Sequence, residues 1–499
     1  MELHQVIDEA IKDLPTNPKP ELGIILVTGA TGYIGGRLVP VLLDRGYQVR
    51  VMVRVISPEH IERWPGAEIV QADAIDIDQL KKALKGVHTA FYLIHSLLLG
   101  KMAFEMFDIR AAENFRDAAA EMEIKRIIYL TGLGKKEANL SHHLDSRMKV
   151  AEELMLGKVP VISLRAAIII GPGSASYEIV KNLVLNSPVF LIPYWAKTKS
   201  QPIAIEDVMK YLVGVLEVEE YEHKYYDIGG GDILTYEMML KELASILGKR
   251  RLFLPSFFSN ATLYGYFASL LTPVPAPITL CLMEGCKNEV VCQSEDIKKI
   301  LNFKPLTYKE AVLQAMTREE QDKIYTRWSD AYPPAHDLAL KLTELSKPAR
   351  YQAIYSLKTK NRDSDLFDSF CRIGGKEGWF NTNWMWRLRG MFDRVLMGIG
   401  TSRGRRSSSS IRINDVIDFW RVEDLREDRL LLLRAEMKLP GKAWLKFCVD
   451  PEGEYNKLTV HAYFQPNGWR GHIYWYNFLP FHVIIFNNLI KQIDKRAKH

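Results

Sequence analysis

The chain has 499 residues, 47% of them hydrophobic and 25% charged, with a formal net charge of +6. That length exceeds what one hydrophobic core ordinarily organises, so two or three domains are expected. The composition excludes a disordered or fibrous chain, and so small a charge excess argues against wholesale nucleic-acid binding.

Cysteine is sparse. Cys281, Cys286, Cys292, Cys371 and Cys448 contain no Cys-x-x-Cys pair, so neither a metal site nor a disulfide framework is expected. Reduced thiols in a cytoplasmic setting are the reading they suggest. Residues 1–22 are charged and carry prolines, which predicts a lead segment and no secretory leader. No uninterrupted apolar run reaches the roughly 20 residues a spanning helix needs. Leu252–Met283 and His472–Ile490 come closest, but prolines, asparagines and histidines break them. Core packing is the expectation for both, and peripheral contact with a membrane surface stays open.

From Gly23 onward short β-rich runs alternate with helical periodicity. Strands are expected at Ile24–Val27, Gln48–Val53, Glu68–Gln71, Thr89–Ile94 and Arg126–Leu130, then at Val161–Ile170 and Tyr226–Ile228. Helices are expected at Ile34–Arg45, Ile77–Lys85 and Ala103–Met122. This alternation predicts an α/β fold, a doubly wound parallel sheet of the Rossmann type, over residues 23–325. A proline-bearing stretch inside 326–346 reads as a linker. In 347–499 the period becomes two. Ala443, Leu445, Phe447 and Val449 share a face, as do Leu458, Val460, Ala462 and Phe464, and Leu433, Ala435 and Met437 alternate likewise. An antiparallel meander followed by a long helix near Gly471–Lys495 predicts an α+β domain whose sheet wraps that helix.

Chemistry is most legible at Gly29–Gly35. The strand Ile24–Val27 runs into Thr28-Gly29-Ala30-Thr31-Gly32-Tyr33-Ile34-Gly35 and then an apolar helix. A pyrophosphate needs close backbone approach, which only glycine allows, and a helix N-terminus directs N–H groups at it. With strand before and helix after, the triplet is a strong dinucleotide signal. The second strand ends in Arg54 with no acid beside it. A carboxylate there would hold ribose hydroxyls, whereas a guanidinium pairs with a 2′-phosphate, so NADP(H) is favoured over NAD(H). Asp73 follows the third strand, where it either accepts from the adenine amino group or forms a turn.

Residues 23–320 resemble the short-chain dehydrogenase/reductase superfamily, and more narrowly its atypical branch of complex I accessory-subunit-like and NmrA-like proteins. The glycine loop carries the resemblance, with Ala72-Asp73, the strand ends Tyr92-Leu93-Ile94-His95-Ser96 and Tyr129-Leu130-Thr131-Gly132, Gly171-Pro172-Gly173, and the stretch from Gln201 to Val208. Cofactor contacts are expected at Gly29, Thr31, Gly32, Tyr33, Ile34 and Gly35, and likewise at Arg54, Asp73, Ala74, Leu93, Ile94 and His95, the last as well placed to react as to line the nicotinamide pocket. The carboxy-terminal part is similar to a domain of unknown function often fused behind these proteins, at Gly378-Trp379-Phe380, Asp418 to Val422, Met437 to Gly441 and Tyr474-Trp475-Tyr476. That similarity implies a helix-grip fold related to polyketide cyclases and START-type lipid carriers.

Typical members of the superfamily reduce a carbonyl with a Tyr-x-x-x-Lys pair. At the matching positions stand His143 and Arg147. His143 could take the proton-donor role, since imidazole titrates near neutrality. Arg147 could hold a ribose but cannot exchange a proton, and Thr131 lies near the family's serine. His142 and His143 as plain surface loop residues is the competing reading.

Tryptophan crowds the second domain at Trp379, Trp384, Trp386, Trp420, Trp444, Trp469 and Trp475. They either pack a core or line a cavity for an apolar ligand. Arg387, Arg389, Arg394, Arg403, Arg405 and Arg406 form a basic stretch that suits anionic lipid headgroups better than single-stranded nucleic acid. The expected function is an NADP(H)-dependent oxidoreductase acting on a small apolar carbonyl or quinone-like substrate. A non-catalytic dinucleotide sensor or assembly factor, and a lipid or isoprenoid carrier, are the alternatives. The sequence leaves the oligomeric state undetermined.

Overall fold

Four aliphatic residues, Ile-Ile-Leu-Val, open the first sheet as β1 (Ile24–Val27), and the glycine loop turns the chain into α1 (Gly35–Asp44). The computed structural model describes residues 11, 13–95, 101–134, 140–321, 323–331, 340–375, 377–401, 403–407 and 410–497, without the side chains of 58, 101–104 and 331. Ser96, residues 332–339 of the expected linker, Ser408 and Ser409 lie outside the described residues.

The chain divides into two compact units. One comprises Met1–Leu271 with Pro277–Tyr332, the other Thr272–Ala276 with Pro333–His499.

In the first unit the alternation continues through β2 (Gln48–Val53), β3 (Glu68–Gln71), α2 (Ile77–Leu84), β4 (Val87–Tyr92), α3 (Lys101–Glu121), β5 (Arg126–Gly132), α4 (His142–Met155), β6 (Val161–Ala166), α5 (Ile205–Glu217) and β7 (Lys224–Ile228). Side-chain oxygens set the helix starts. Asp76 accepts from Asp78 N and Gln79 N ahead of α2, and Ser141 accepts from Leu144 N ahead of α4. The seven strands run parallel in the order β7-β6-β5-β4-β1-β2-β3. Alternate residues bury opposite faces. Ile25, Val27, Val49, Val51 and Val53 pack with α1 and α5, while Leu26, Met52 and Ala90 pack with α2, α3 and α4. The expected strand Val161–Ile170 is in fact two, because Ile169–Ile170 leaves β6 to pair with Ile203–Ala204.

Residues beyond the expected limits of this domain pack on it. Ile11 is buried in its core, and Thr16 donates to Glu217. Thr326 Oγ1 donates to Tyr33 O at 2.9 Å, so the start of the expected linker braces the glycine loop.

The second unit holds β8 (Tyr351–Thr359), α6 (Asp363–Cys371), α7 (Asn383–Val395), β9 (Val416–Ile417), β10 (Trp420–Arg426), β11 (Leu430–Ala435), β12 (Gly441–Glu452), β13 (Tyr455–Pro466) and α8 (Gly468–Arg496). The strands are antiparallel in the order β8-β13-β12-β11-β10-β9. The inward row Leu445, Phe447, Val449, Leu458, Val460 and Ala462 meets Ile485, Phe486, Leu489, Ile490 and Ile493 of α8. The face opposite that row is not simply solvated. Trp444 and Cys448 are buried on it, and Glu436 is held there by Arg403, Arg421 and Arg434.

Candidate functional site

Strand register fixes which residues meet at the carboxyl edge of the parallel sheet. Val27 pairs with Val51 on one side and Phe91 on the other, and Phe91 pairs with Ile128. Three residues further along each chain stand Ala30, Arg54, Ile94 and Thr131, which brings the glycine loop, the cofactor-selecting position and the fourth and fifth strand ends level. Strand order reverses between β1 and β4, so a crevice for a ligand opens beside β1.

Close packing explains two glycines of the loop and an open space the third. Gly29 has φ +61°, and a Cβ there would lie 2.3 Å from Leu93 O. A Cβ on Gly35 would lie 2.6 Å from Gly29 O and 2.7 Å from Ala30 Cα. At Gly32 it would meet only Gly29 O, at 3.2 Å. Gly29 and Gly35 therefore let backbone pack on backbone, while Gly32 keeps open the space a pyrophosphate would occupy. No side chain caps α1 and no acid stands in its first turn, whereas α2 and α4 carry side-chain caps. An uncapped helix start beside a glycine cradle fits a diphosphate.

Several residues that the sequence reading passed over build this cradle. Thr28 Oγ1 donates to Phe91 O at 3.0 Å and accepts from Leu93 N at 3.0 Å, locking β1 to the end of β4. Arg37 donates to Pro172 O at 2.7 Å and stacks over Tyr33. Asn114 on α3 donates to Ile75 O at 2.7 Å and to Ala74 O at 3.2 Å, holding the loop after β3. Asp73 serves that loop as a turn former, since its Oδ1 accepts from Ile75 N at 3.0 Å. Arg54 is exposed at the end of β2.

His143 and Arg147 sit one helical turn apart on α4, and both face the strand ends. The ring of His143 lies 5.1 Å from that of His95. With its proton on Nδ1, His95 donates to Asp108 Oδ2 at 3.3 Å, so a buried carboxylate orients His95. His143 belongs to the first turn of a helix and not to a surface loop. Its pKa is also not near neutral. Burial, with His95, Arg147 and His142 beside it, holds it well below the ordinary imidazole value. Burial and Arg147 also lower His95, against Asp108. Both imidazoles are thus neutral at pH 7.

Thr131 and Arg147 both spend polar atoms on the backbone. The Thr131 hydroxyl donates to Arg147 O at 3.2 Å and is buried, so it ties β5 to α4. The Arg147 guanidinium donates to Leu130 O and lies over the Tyr129 ring. Ser96 and residues 135–139, next to these groups, lie outside the described residues.

Residues 22–170 match the NmrA-like family model, and residues 345–489 match a model described as a protein of unknown function, DUF2867. The amino-terminal domain is thus similar to the NmrA-like, atypical short-chain dehydrogenase/reductases. It is a Rossmann-like domain, and the likeness supports NAD(P) binding. This domain is 32% identical over 118 residues to a 3 beta-hydroxysteroid dehydrogenase/Delta 5-->4-isomerase of Mycobacterium tuberculosis, a match over 22% of this chain and 31% of the relative. It is 24% identical over 274 residues to a (4-alkanoyl-5-oxo-2,5-dihydrofuran-3-yl)methyl phosphate reductase of Streptomyces griseus, over 53% of this chain and 87% of that one. A Citrobacter sp. triphenylmethane reductase complexed with NADP(H) covers 58% of this chain and 99% of its own, at 22% identity and TM-score 0.48. The chain thus spans only 31% of the length of the mycobacterial relative.

The carboxy-terminal aromatics resolve into two groups. Trp379, Trp386 and Trp420 are buried and pack on one another at 4.8–6.2 Å, and Trp444 and Trp475 are buried as well. Trp384 and Trp469 are exposed. The basic stretch is largely spent inside the domain. Arg403 pairs with Glu436 and Arg406 with Asp415, while Arg405 donates to the carbonyls of Cys371 and Ile373.

Proposed function

We propose that the protein is an NADP(H)-dependent oxidoreductase that reduces an apolar carbonyl or quinone-like substrate at the carboxyl edge of its parallel sheet. The observation that carries this reading is the Asp108–His95–His143 arrangement beside the glycine cradle, where the superfamily's proton donor belongs. When bound, NADPH supplies the hydride; Gly29, Gly32 and Gly35 would seat its diphosphate and Arg54 its 2′-phosphate. His143 is a neutral imidazole that can donate a hydrogen bond to a carbonyl oxygen and stabilise the negative charge that hydride transfer places there, the proton itself then coming from water. An apolar substrate agrees with the fused-ring compound named for the mycobacterial relative.

A specific observation favours a second reading, a protein that binds the dinucleotide without turning it over. Thr131 and Arg147 both spend polar atoms on backbone carbonyls, so part of the expected catalytic set faces inward. Single-turnover oxidation of bound NADPH by a panel of quinones and enones separates the two. The oxidoreductase reading predicts loss of reduced-nicotinamide absorbance with some member of the panel, and a steeply slower rate in His143→Ala. An unchanged absorbance across the panel favours the sensor. Calorimetry of Arg54→Ala tests the cofactor choice. A lost charge-assisted contact is worth about 1.5–3 kcal/mol, roughly a 10- to 100-fold loss for NADPH, with NADH affinity nearly unchanged. Equal losses for both nucleotides would refute the assignment.

A further inference from the structure

From Gly471 through Ile490 the helix α8 contains no Asp, Glu, Lys or Arg. One side of it packs into the sheet through Ile485, Phe486, Leu489 and Ile490, and through Trp475, which stacks on Tyr351 and Phe464. The other side is equally apolar yet exposed, with Trp469 68%, Ile473 50%, Tyr476 63% and Ile484 60% accessible. Helix α7 repeats the pattern with Trp384, Leu388, Met391, Phe392 and Val395, all exposed at helical spacing. A helix on the surface of a globular domain ordinarily turns charged residues outward. Here two helices turn apolar ones outward.

The segments are structurally joined. Arg389 donates to Lys438 O at 2.9 Å, Lys438 Nζ donates to Leu396 O at 2.8 Å, and Asn467 N donates to Pro440 O at 3.0 Å, so the turn after β11 ties the end of α7 to the start of α8. The charge along these segments has one sign. Residues 383–401, 437–443 and 467–490 contain Arg387, Arg389, Lys438, Lys442 and Arg470, besides Arg394, which is buried and donates to Ile399 O and Thr272 O, and a single acid, Asp393. Asp393 is buried, where it accepts from Gly400 N and Lys438 N, so it offers no outward negative charge.

We infer that the outward faces of α7 and α8 form a docking surface for an anionic phospholipid bilayer. Apolar side chains enter the headgroup–acyl boundary, tryptophan and tyrosine lie at its polar edge, and the flanking arginines and lysines meet lipid phosphates. The helices lie on the surface and do not cross it, since no helix among the described residues is long and apolar enough to span and Pro480 interrupts α8. A protein partner would need its own acidic rim; a bilayer supplies negative charge and an apolar layer together.

Flotation of the full-length protein with vesicles of phosphatidylcholine, alone or mixed with phosphatidylglycerol, tests this. Binding to the mixed vesicles that weakens with salt is expected. Arg387→Glu with Arg470→Glu should lower partitioning roughly tenfold or more. Phe392→Ser with Ile484→Ser should abolish it while circular dichroism and nucleotide affinity stay those of the parent. In a second measurement, phospholipid brominated in the acyl chain should quench the tryptophan fluorescence of the parent, and Trp384→Phe with Trp469→Phe should remove that quenching. Absence of flotation, or equal flotation of parent and variants, overturns the inference. So does a dimer in sedimentation that Phe392→Ser with Ile484→Ser dissociates, because the face would then belong to a second copy of the chain.

Discussion

Two glycines six residues apart or closer can be asked different questions by one methyl group. At Gly35 the added Cβ would press on backbone atoms 2.6 Å and 2.7 Å away, which cannot yield separately. Gly35→Ala should therefore cost stability of about 1–3 kcal/mol, read in urea unfolding, whether or not nucleotide is present. At Gly32 the added Cβ has one neighbour, at 3.2 Å, and φ is not in the left-handed region. Gly32→Ala should leave the unfolding midpoint nearly unchanged but weaken NADPH binding at least about tenfold, some 1.4 kcal/mol. The reverse pattern would mean that the diphosphate lies elsewhere. The imidazole pair carries a pH signature. His143 has a folded-state pKa well below 6.5, its ordinary value, chiefly through burial. Below pH 6.5 the unfolded chain takes up a proton that the folded chain refuses, so stability falls as pH drops through that window. Thermal unfolding of His143→Gln should show a shallower decline from neutral to mildly acidic pH than the parent. Parallel declines would show that His143 is not held neutral.

Among the elements, helix α5 depends on a residue outside itself. Its last carbonyls lie in the core, where water cannot satisfy them. The buried guanidinium of Arg126, at the start of β5, donates to Leu216 O and Val218 O at 2.7 Å each and to Val215 O at 3.1 Å. Arg126→Met should leave these acceptors unpaired and cost about 3 kcal/mol, with Arg126→Lys recovering part of it. Equal stability of Met and Lys variants would show that packing, and not the donors, matters there. Arg126 also marks what a linear reading of the chain can and cannot see. The β-rich runs of both domains, the glycine loop and α8 announce themselves by local period and composition, and the structure places them within a few residues of expectation. Helix α7 does not, because its contrast is inverted: Gly390, Asp393 and Arg394 are buried while Trp384, Leu388, Met391 and Phe392 face outward. The opposite face of the second sheet is likewise hidden from a local reading, since Trp444 and an arginine–glutamate cluster bury it. At the site, Gly29, Gly32 and Gly35 are legible because the chemistry needs adjacent residues. Asp108, Asn114 and Arg37 are not, since their partners His95, Ile75 and Pro172 lie up to 135 positions away and only the fold brings them together.

At the scale of the whole molecule, two compact units imply two separate cooperative events. One is built on both faces of a parallel sheet of seven strands, the other between an antiparallel sheet of six strands and α8. Only the first contains the glycine cradle, so nucleotide is bound by the folded form of one unit alone. A ligand at a hundredfold excess over its Kd adds about 2.7 kcal/mol to the stability of the form that binds it. For a unit of roughly 300 residues, with an unfolding entropy near 2.1 cal/mol/K per residue, that corresponds to a rise of ~4 °C. Scanning calorimetry of the intact chain should therefore show one transition that climbs with NADPH concentration and a second that stays in place. Gly32→Ala should pin both, and anionic vesicles should act on the second without moving the first. A single transition that shifts as a whole with nucleotide would mean that the two units unfold as one, and that binding at the glycine loop is felt by α8.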